Sequence, residues 1–451
     1  MADIYPELTN IRGPAARITS VTAESVPADQ AASVVMSGPD QNRHFHFRTP
    51  RGLPGVNAVA ADSATATYVG QTDTETYAAV ANRMEEYRRT VPAYVTAAGM
   101  IPEYSVEYDP SLRLFNGSAA DLVDMITNIA WSKQGYIRTN ILFIGDSKTA
   151  GSAVGYEGSV PLNFMRMAGA LDGVAFAAHA VSSAPDGRWS GVTGFTATGT
   201  SMHLNAAVGV NTAKFQGIRR ATGLRLLWNS QSATLASHSV SFDGAAGVPL
   251  APDGVLTAPG ATTGYYYKDF TGADANHSLE LTINMTAGSF QLLGIESLHG
   301  STGVTVTNAG LHGSFISGWD PTSTSRLGVL NATAGIVSQL PGRRVAIVQL
   351  GTNVSADMPA GYRALVERLR VLGYEVLIVV PGGVQNTADR ITLKRALYDI
   401  AADLSMPLAD FNDLIGNSIA ADRGYMADTL HENARGYRYE AWLLWRILCG
   451  S

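Results

Sequence analysis

Continuous apolar runs and helix-like segments alternate along the C-terminal part of the chain. The runs are ILFIG (141–145), RVAIVQLG (344–351) and EVLIVVPG (375–382). Amphipathic segments of helical period occupy 360–373, 388–404 and 435–448. A strand that is apolar on both faces belongs in a parallel sheet that helices cover on both sides. The pattern therefore predicts an α/β domain.

The stretch from 195 to 303 lacks a helical period and predicts a different architecture. Strand-sized pieces such as LRLLWNS (224–230) and HSLELTINM (277–285) are separated by turns rich in Gly, Asp, Asn and Ala. This alternation predicts an all-β module, a sandwich or a jelly roll. Because α/β strands lie on both sides of it, we expect an insertion that divides one α/β domain into 139–194 and 304–451.

The N-terminal third differs from the rest of the chain in composition and in its pattern of apolar residues. Residues 1–75 are rich in Pro, Ala, Ser, Thr and Gly, with short alternating pieces such as HFHFRT (44–49). They predict an extended N-terminal attachment region with little core of its own. Residues 76–138 predict a helical linker, because the segments 74–90 and 118–134 have helix-like patterns.

Composition narrows the classes of function. The 451-residue chain is 46% hydrophobic and 16% charged, and its net charge of −6 gives no reason to expect nucleic acid or an anionic membrane as a partner. Cys449 is the single cysteine, so neither an intrachain disulfide nor a cysteine-ligated zinc site is expected. The N-terminus lacks the apolar core of a signal peptide, and no apolar run reaches the length of a membrane span. We therefore expect a protein that is neither secreted by a signal peptide nor inserted in a membrane.

Polar residues with catalytic chemistry follow the apolar runs. Ser147 comes directly after ILFIG, and Asn353 comes just after the second run. Asp428 and His431 lie three residues apart, ahead of the last helical segment. The carboxyl ends of parallel strands meet at one edge of a sheet, where a serine nucleophile, its base, a group orienting the base and oxyanion donors can converge. The Gly-Asp-Ser tripeptide alone also fits an ordinary turn.

Four blocks in chain order resemble the SGNH (GDSL-type) hydrolase family. They are Gly145-Asp146-Ser147, NAGLHGS (308–314), GTN (351–353) and DTLH (428–431), and Asn433 and Gly436 also suit the last block. The resemblance covers 139–190 and about 304–451. It implies a flavodoxin-like, three-layer SGNH hydrolase domain.

The resemblance also implies a serine esterase that uses neither a cofactor nor a metal ion. Ser147 would be the nucleophile, His431 the base and Asp428 the group that orients the imidazole. The N–H groups of Ser147 and Gly313 and the side-chain amide of Asn353 would form the oxyanion hole.

The sequence departs from the family pattern in two respects. Val354 follows Asn353 where the family usually has Asp, so weakened catalysis stays open. The interval between the first two blocks is much longer than the family norm, and the β insertion accounts for it.

Beside the proposed nucleophile, Asp146 is expected to satisfy loop N–H groups. Lys148 is expected to be solvated, with steering of anionic substrates as the alternative.

Aromatic and histidine residues outside the blocks are weaker candidates. Trp189 and Trp319 flank the insertion and are expected to line the mouth of the active site, and Tyr266 is a candidate for stacking on a sugar ring. For Tyr266, burial in the core of the β module is the competing interpretation. His44 and His46 share one face of a predicted strand and could bind a metal ion around a trimer axis, or have no such role.

The segment RTPRGLPGVNAVAADSATATYV (48–69) resembles a Gly-Leu-Pro-Gly-Val-Asn segment of minor tail or tail-fibre proteins of actinobacterial phages. That resemblance implies a virion protein of the phage tail, made in the host cytoplasm, that forms a homotrimer and contacts other tail proteins. The enzyme would remove acetyl or similar acyl groups from a host cell-envelope glycan, and the β module would bind that glycan. Two alternatives stay open: a receptor-binding tail protein with little or no activity, and a lipid or thioester hydrolase unrelated to phages.

Overall fold

The computed structural model divides the chain into two compact units, Met1–Tyr108 and Asp109–Ser451. The predicted helix at 74–90 lies outside the described residues, as does most of the segment 48–69. None of the helices that the structure describes has the length and apolar character that a membrane crossing needs. The structure describes residues 17–26, 33–37, 42–50 and 114–116, and residues 119–449 with gaps at 183–184, 198–201, 231, 262–263, 355–357 and 384–386.

The first unit contains a three-stranded sheet of β1 (Arg17–Val26), β2 (Ser33–Ser37) and β3 (Asn42–Pro50). Strand β3 lies in the middle, parallel to β1 and antiparallel to β2. His44 and His46 fall two residues apart in β3. Binding of a metal ion by this pair stays a prediction.

The second unit contains the α/β strands, the β insertion and the helices. Its strands are β4 (Leu114–Phe115), β5 (Arg138–Gly145), β6 (Leu171–Asp172), β7 (Val174–Phe176), β8 (Trp189–Thr193), β9 (Phe195–Ala197), β10 (Leu204–Ala206), β11 (Gly209–Gln216), β12 (Ala221–Asn229), β13 (Thr234–Phe242), β14 (Gly254–Leu256), β15 (Tyr265–Ala275), β16 (Ser278–Ala287), β17 (Gln291–Leu298), β18 (Gly303–Gly310), β19 (Arg343–Gln349), β20 (Glu375–Val380) and β21 (Leu408–Asp410). Its helices are α1 (Ala120–Lys133), α2 (Ser147–Ala150), α3 (Val160–Ala168), α4 (Thr324–Leu330), α5 (Met358–Val371), α6 (Ala388–Asp403), α7 (Phe411–Ile415), α8 (Asn417–Asp422) and α9 (Ala434–Leu448).

The central sheet has the strand order of a flavodoxin-like fold. Its order is β4-β21-β20-β19-β5-β18-β6, with only β4 antiparallel to its neighbour. Five of the parallel strands, numbered along the chain as β5, β18, β19, β20 and β21, therefore lie in the spatial order 2-1-3-4-5. The strand order reverses between β5 and β19, which is where ligands bind in open α/β sheets.

Helices cover both faces of this sheet. Every residue of β5 is buried. Leu142 and Ile144 point into the core that also holds Leu365 of α5, whereas Phe143 meets Phe164 of α3 edge-on, with 5.6 Å between ring centroids. Because neighbouring residues of one strand face opposite layers, the consecutive residues 141–144 are all apolar. The predicted three-layer fold class is confirmed.

The insertion is a sandwich of two sheets. One has the order β14-β15-β12-β17-β10-β9, with β7 also paired to β17, and the other has the order β13-β16-β11-β8. Side chains from both sheets, such as Trp228 and Phe215, form the core between them. Strands β7 and β8 already belong to these sheets, so the module begins upstream of the expected boundary at 195. Strand β7 has three residues, which is too short to give a period in sequence.

One face of the larger insertion sheet shares a core with the α/β domain. Leu227, Tyr265 and Leu293 pack in the same hydrophobic cluster as Trp319. The other face of that sheet, which carries Trp228, packs against the second sheet of the sandwich. The insertion is therefore joined to the α/β domain by continuous apolar packing, which is the main favourable contribution to such a contact.

Candidate active site

Ser147, His431 and Asp428 form a hydrogen-bonded chain at the carboxyl end of β5. Ser147 is the first residue of α2, and its Oγ lies 3.1 Å from Nε2 of His431. His431 Nδ1 lies 2.9 Å from Oδ2 of Asp428. The structure thus brings together the three residues that the sequence proposed as nucleophile, base and orienting group, in the geometry that such a triad requires.

A tight turn fixes the histidine. Asp428 Oδ1 accepts hydrogen bonds from the backbone N–H groups of Leu430 and His431, both at 2.7 Å. Asn433 then caps helix α9 by accepting hydrogen bonds from the N–H groups of Arg435 and Gly436. Such side-chain caps satisfy the free donors of a helix start. The imidazole is therefore held between a closed turn and a capped helix.

The charge of Asp428 is set by its hydrogen bonds. Burial raises the pKa of this carboxyl, but the hydrogen bonds from the His431 ring and from the N–H groups of His431 and Leu430 outweigh that effect and lower the pKa to about 2. Asp428 is accordingly a carboxylate at neutral pH, and an ionised carboxylate only accepts hydrogen bonds. The neutral imidazole must place its proton on Nδ1, which leaves Nε2 to accept the proton of Ser147.

Asp146 ties the turn that carries Ser147 to the loop after β19. Its side chain has no exposed surface and accepts four hydrogen bonds, from the N–H groups of Lys148, Gly351 and Thr352 and from Thr352 Oγ1, at 3.0 to 3.3 Å. Burial raises the pKa of Asp146, and these hydrogen bonds oppose that rise. Asp146 therefore satisfies loop N–H groups beside the nucleophile.

The end of β5 also requires a glycine. A Cβ atom at Gly145 would lie 1.8 Å from Thr149 Oγ1 and 2.7 Å from the carbonyl oxygen of Gln349. Any larger residue would force the turn away from β19. The glycine of the first block is therefore needed for close packing at the point where Ser147 enters helix α2.

Gly313 and Asn353 lie in loops that contact each other. Gly313 has φ +67°, in the left-handed region that favours glycine. Asn353 Nδ2 donates to the carbonyl oxygen of Ser314 at 3.0 Å. An amide nitrogen carries two hydrogens, so this bond leaves one donor of Asn353 for another acceptor. Val354 packs against the α/β core. The oxyanion-hole assignment stays a prediction.

His312, in the second block, was not predicted from the sequence as part of the site. His312 Nδ1 lies 2.6 Å from Ser152 Oγ, which links the Gly313 loop to the segment after α2. Burial lowers the pKa of His312 to about 4, so the ring is neutral at pH 7. Its position next to Gly313 indicates that it lies near the site, but the sequence does not indicate its hydrogen bond with Ser152.

Lys148 is not solvated, contrary to expectation. Its side chain has no exposed surface and forms an ion pair with Glu432, which is buried to the same extent. The turn at 145–147 leads directly into a short helix whose four residues are all buried, so the lysine points inward. Steering of anionic substrates by Lys148 is excluded by the same burial.

The two tryptophans do not line the mouth of the site. Trp319 has 0% exposure and lies in the α/β core, and Trp189 has 7% exposure and stacks edge-on with Phe215 in the sandwich core. The expectation that their rings meet substrate is wrong. Tyr266 is half-buried beside Trp228, with 6.0 Å between ring centroids, and its contact with a sugar stays a prediction.

The architecture is shared with a solved esterase structure. A peptidoglycan O-acetylesterase superposes with a TM-score of 0.52 at 17% identity, over 73% of this chain and 96% of that chain. The likeness shows that the two chains share a fold. Neither a family model nor a curated protein matches the sequence.

Two further esterases give weaker superpositions. A two-domain esterase active on acetylated mannans has a TM-score of 0.37 at 14% identity, over 76% of this chain and 57% of that chain. A family two carbohydrate esterase from Cellvibrio japonicus has a TM-score of 0.21 at 10% identity, over 58% of this chain and 96% of that chain.

Asp428→Asn is expected to slow covalent labelling of Ser147 by a fluorophosphonate by about 10²–10⁴-fold, because the amide no longer fixes the imidazole tautomer. The labelling rate is measured by intact-protein mass spectrometry. Asp274→Asn, at an exposed position of the sandwich, should label like the wild type. Equal rates for the two variants would contradict the assignment of Asp428.

The pH dependence of stability gives the same assignment a second check. The folded state lowers the pKa of Asp428 from 3.8 to about 2, so its carboxylate stabilises the fold above about pH 4. That contribution is lost as the pH falls towards 2. The difference in unfolding free energy between the wild type and Asp428→Asn should therefore shrink over this interval.

Proposed function

We propose that the protein is a serine esterase. The observation that carries this proposal is the chain of hydrogen bonds from Ser147 through His431 to Asp428 at the strand-order reversal. Gly313 and Asn353 lie in the adjoining loops, where donors for an oxyanion are needed.

The reaction proceeds through an acyl-enzyme. Ser147 Oγ attacks the ester carbonyl while His431 Nε2 takes its proton, and the N–H groups of Ser147 and Gly313 with the amide of Asn353 hold the oxyanion. Collapse of the intermediate expels the alcohol, which receives the proton from His431. Water, deprotonated by His431, then attacks the acyl carbonyl on Ser147. The bond between Oγ and the acyl carbon breaks, His431 returns the proton to Oγ, and the carboxylic acid leaves. Asp428 stabilises the imidazolium in both halves.

The proposed substrate is an acylated polysaccharide of a cell surface, and the proposed acyl group is acetyl. The support is the shared architecture with a peptidoglycan O-acetylesterase, which extends over 96% of that chain and 73% of this one. The insertion, packed against the α/β domain, is proposed to position the glycan. Acetate release from purified envelope polysaccharides, compared with hydrolysis of long-chain esters, separates this substrate from a lipid or thioester.

Ser147→Ala should lower the turnover of a simple aryl acetate by about 10⁴–10⁶-fold, because the acyl-enzyme cannot form. Acetate release from the polysaccharide should fall in parallel. Ser132→Ala is the matched control, since Ser132 is a buried serine of α1 that bonds to Thr139. Full activity of Ser147→Ala with a native circular dichroism spectrum would refute the esterase assignment. An inactive wild type would favour a receptor-binding protein.

A place in a phage tail is proposed from the N-terminal region. The support is the resemblance of the segment 48–69 to tail proteins. The enzyme would then act on the envelope glycan of the host, held by other tail proteins through the N-terminal unit.

The tail assignment predicts that the full chain is a homotrimer. Multi-angle light scattering of the purified protein measures its mass directly, and the chain mass is 47.6 kDa. A mass of three chains is expected. A monomer at micromolar concentration would count against a trimeric tail protein and would leave the esterase assignment untouched.

A further inference from the structure

A second polar link joins the segments that carry Ser147 and His431. Lys148 directly follows Ser147, and Glu432 directly follows His431. Lys148 and Glu432 form an ion pair in which neither side chain has exposed surface. Glu440 of α9 is also fully buried and lies beside them. Lys148, Glu432 and Glu440 are called the buried ion cluster below.

The buried ion cluster is anchored to two strands of the central sheet. Lys148 Nζ donates to the carbonyl oxygen of Gly382 at 2.7 Å, just after β20. Glu440 Oε1 accepts from the N–H of Gly382 at 2.9 Å, and Oε2 accepts from Gln349 Nε2 at 2.6 Å, at the end of β19. The cluster therefore holds the nucleophile turn and the histidine segment against the ends of β19 and β20.

The surrounding backbone fits the ion pair closely. A Cβ atom at Gly383 would lie 2.0 Å from Glu432 Oε1 and 3.0 Å from Lys148 Nζ. Such packing allows little displacement of either charged group. Gly383 has φ +62°, which also favours glycine at this position.

Stability alone does not account for these buried charges. Burial raises the pKa of both Glu432 and Glu440, against the attraction of the Lys148 ammonium, so desolvation is a large cost. Well-packed apolar residues in place of a buried ion pair often leave stability unchanged or raise it. A charge-assisted hydrogen bond differs from an apolar contact in its short, directional geometry. A directional bond of this kind fixes the separation of the two segments that carry the Ser147 hydroxyl and the His431 imidazole.

We propose that Lys148 and Glu432 are positioning residues that hold the Ser147 hydroxyl and the His431 imidazole at reacting distance. Asp146 ties the nucleophile turn to the loop after β19, and the ion pair ties the same turn to the histidine segment. One peptide unit separates each member of the pair from a reacting residue. The proposal rests on the serine-esterase function, because it assigns the pair a part in that reaction.

Lys148→Met tests the proposal, because it keeps the apolar stem and removes the ammonium group. Its kcat for an aryl acetate should fall by about 10- to 10²-fold, the size of effect that a displacement of reacting groups by about 1 Å produces. KM should change by less than about twofold, since no substrate contact is lost. Glu432→Gln, which keeps an oxygen acceptor for Lys148, should retain more activity than Glu432→Leu.

A buried ion pair away from the reacting residues provides the matched control. Arg138 and Glu296 are 4% and 1% exposed and lie 2.9 Å apart. Arg138→Met should lower the melting temperature and change kcat by less than about twofold. If Lys148→Met behaves like Arg138→Met, with a lower melting temperature and an unchanged kcat, the positioning assignment is wrong.

A spectroscopic readout separates this inference from the esterase assignment. The ¹⁵N resonance of His431 Nε2, assigned by its loss in His431→Gln, reports the hydrogen bond from Ser147. In Lys148→Met it should move towards its position in Ser147→Ala, whereas in Arg138→Met it should not move. An inactive wild type would refute the esterase function, and the resonance would still decide the positioning. An unmoved resonance in Lys148→Met would overturn the proposal.

Discussion

The buried carboxyl of Asp146 is the contact on which the site depends. It accepts hydrogen bonds from backbone groups on both sides of the strand-order reversal, in the turn after β5 and in the loop after β19. Parallel strands bring these two loops to one edge of the sheet but do not fix their separation. The carboxyl does so by joining the turn that carries Ser147 to the loop that carries Asn353. The alternation of buried strands and helices thus leads to a defined reaction geometry.

Buried polar groups around Ser147 cost stability, and the apolar packing elsewhere offsets that cost. Asp146, Lys148 and Glu432 are all removed from solvent, and each carries a desolvation penalty. The α/β core extends without interruption into the insertion through residues such as Leu227 and Tyr265. Because the hydrophobic contribution grows with buried apolar area, this shared core allows a polar, pre-organised site at the edge of the sheet. The insertion therefore supports the α/β domain as well as adding surface to it.

Continuous apolar strands were predictable from the sequence because a strand buried on both faces needs no polar alternation. The convergence of Ser147, His431 and Asp428 was predictable because the four blocks occur in the order of the SGNH hydrolase family, whose last block lies just before the final helix. Burial of individual side chains was not predictable. Most lysines are solvated, so the sequence does not predict that Lys148 is buried. Its ion pair with Glu432 follows from the position of the short helix α2, whose residues are all buried. Trp319 likewise lies near the insertion in sequence, but its ring belongs to the core.

Mass spectrometry of the acyl-enzyme tests whether Ser147 is the nucleophile. The protein is mixed with an aryl acetate, quenched in acid during turnover and digested, and the acetylated peptide is identified. We expect one acetyl group on Ser147, absent in Ser147→Ala and accumulated less in Asp428→Asn. Acetate release with no acetyl group on Ser147, or with the acetyl group on another residue, would contradict it.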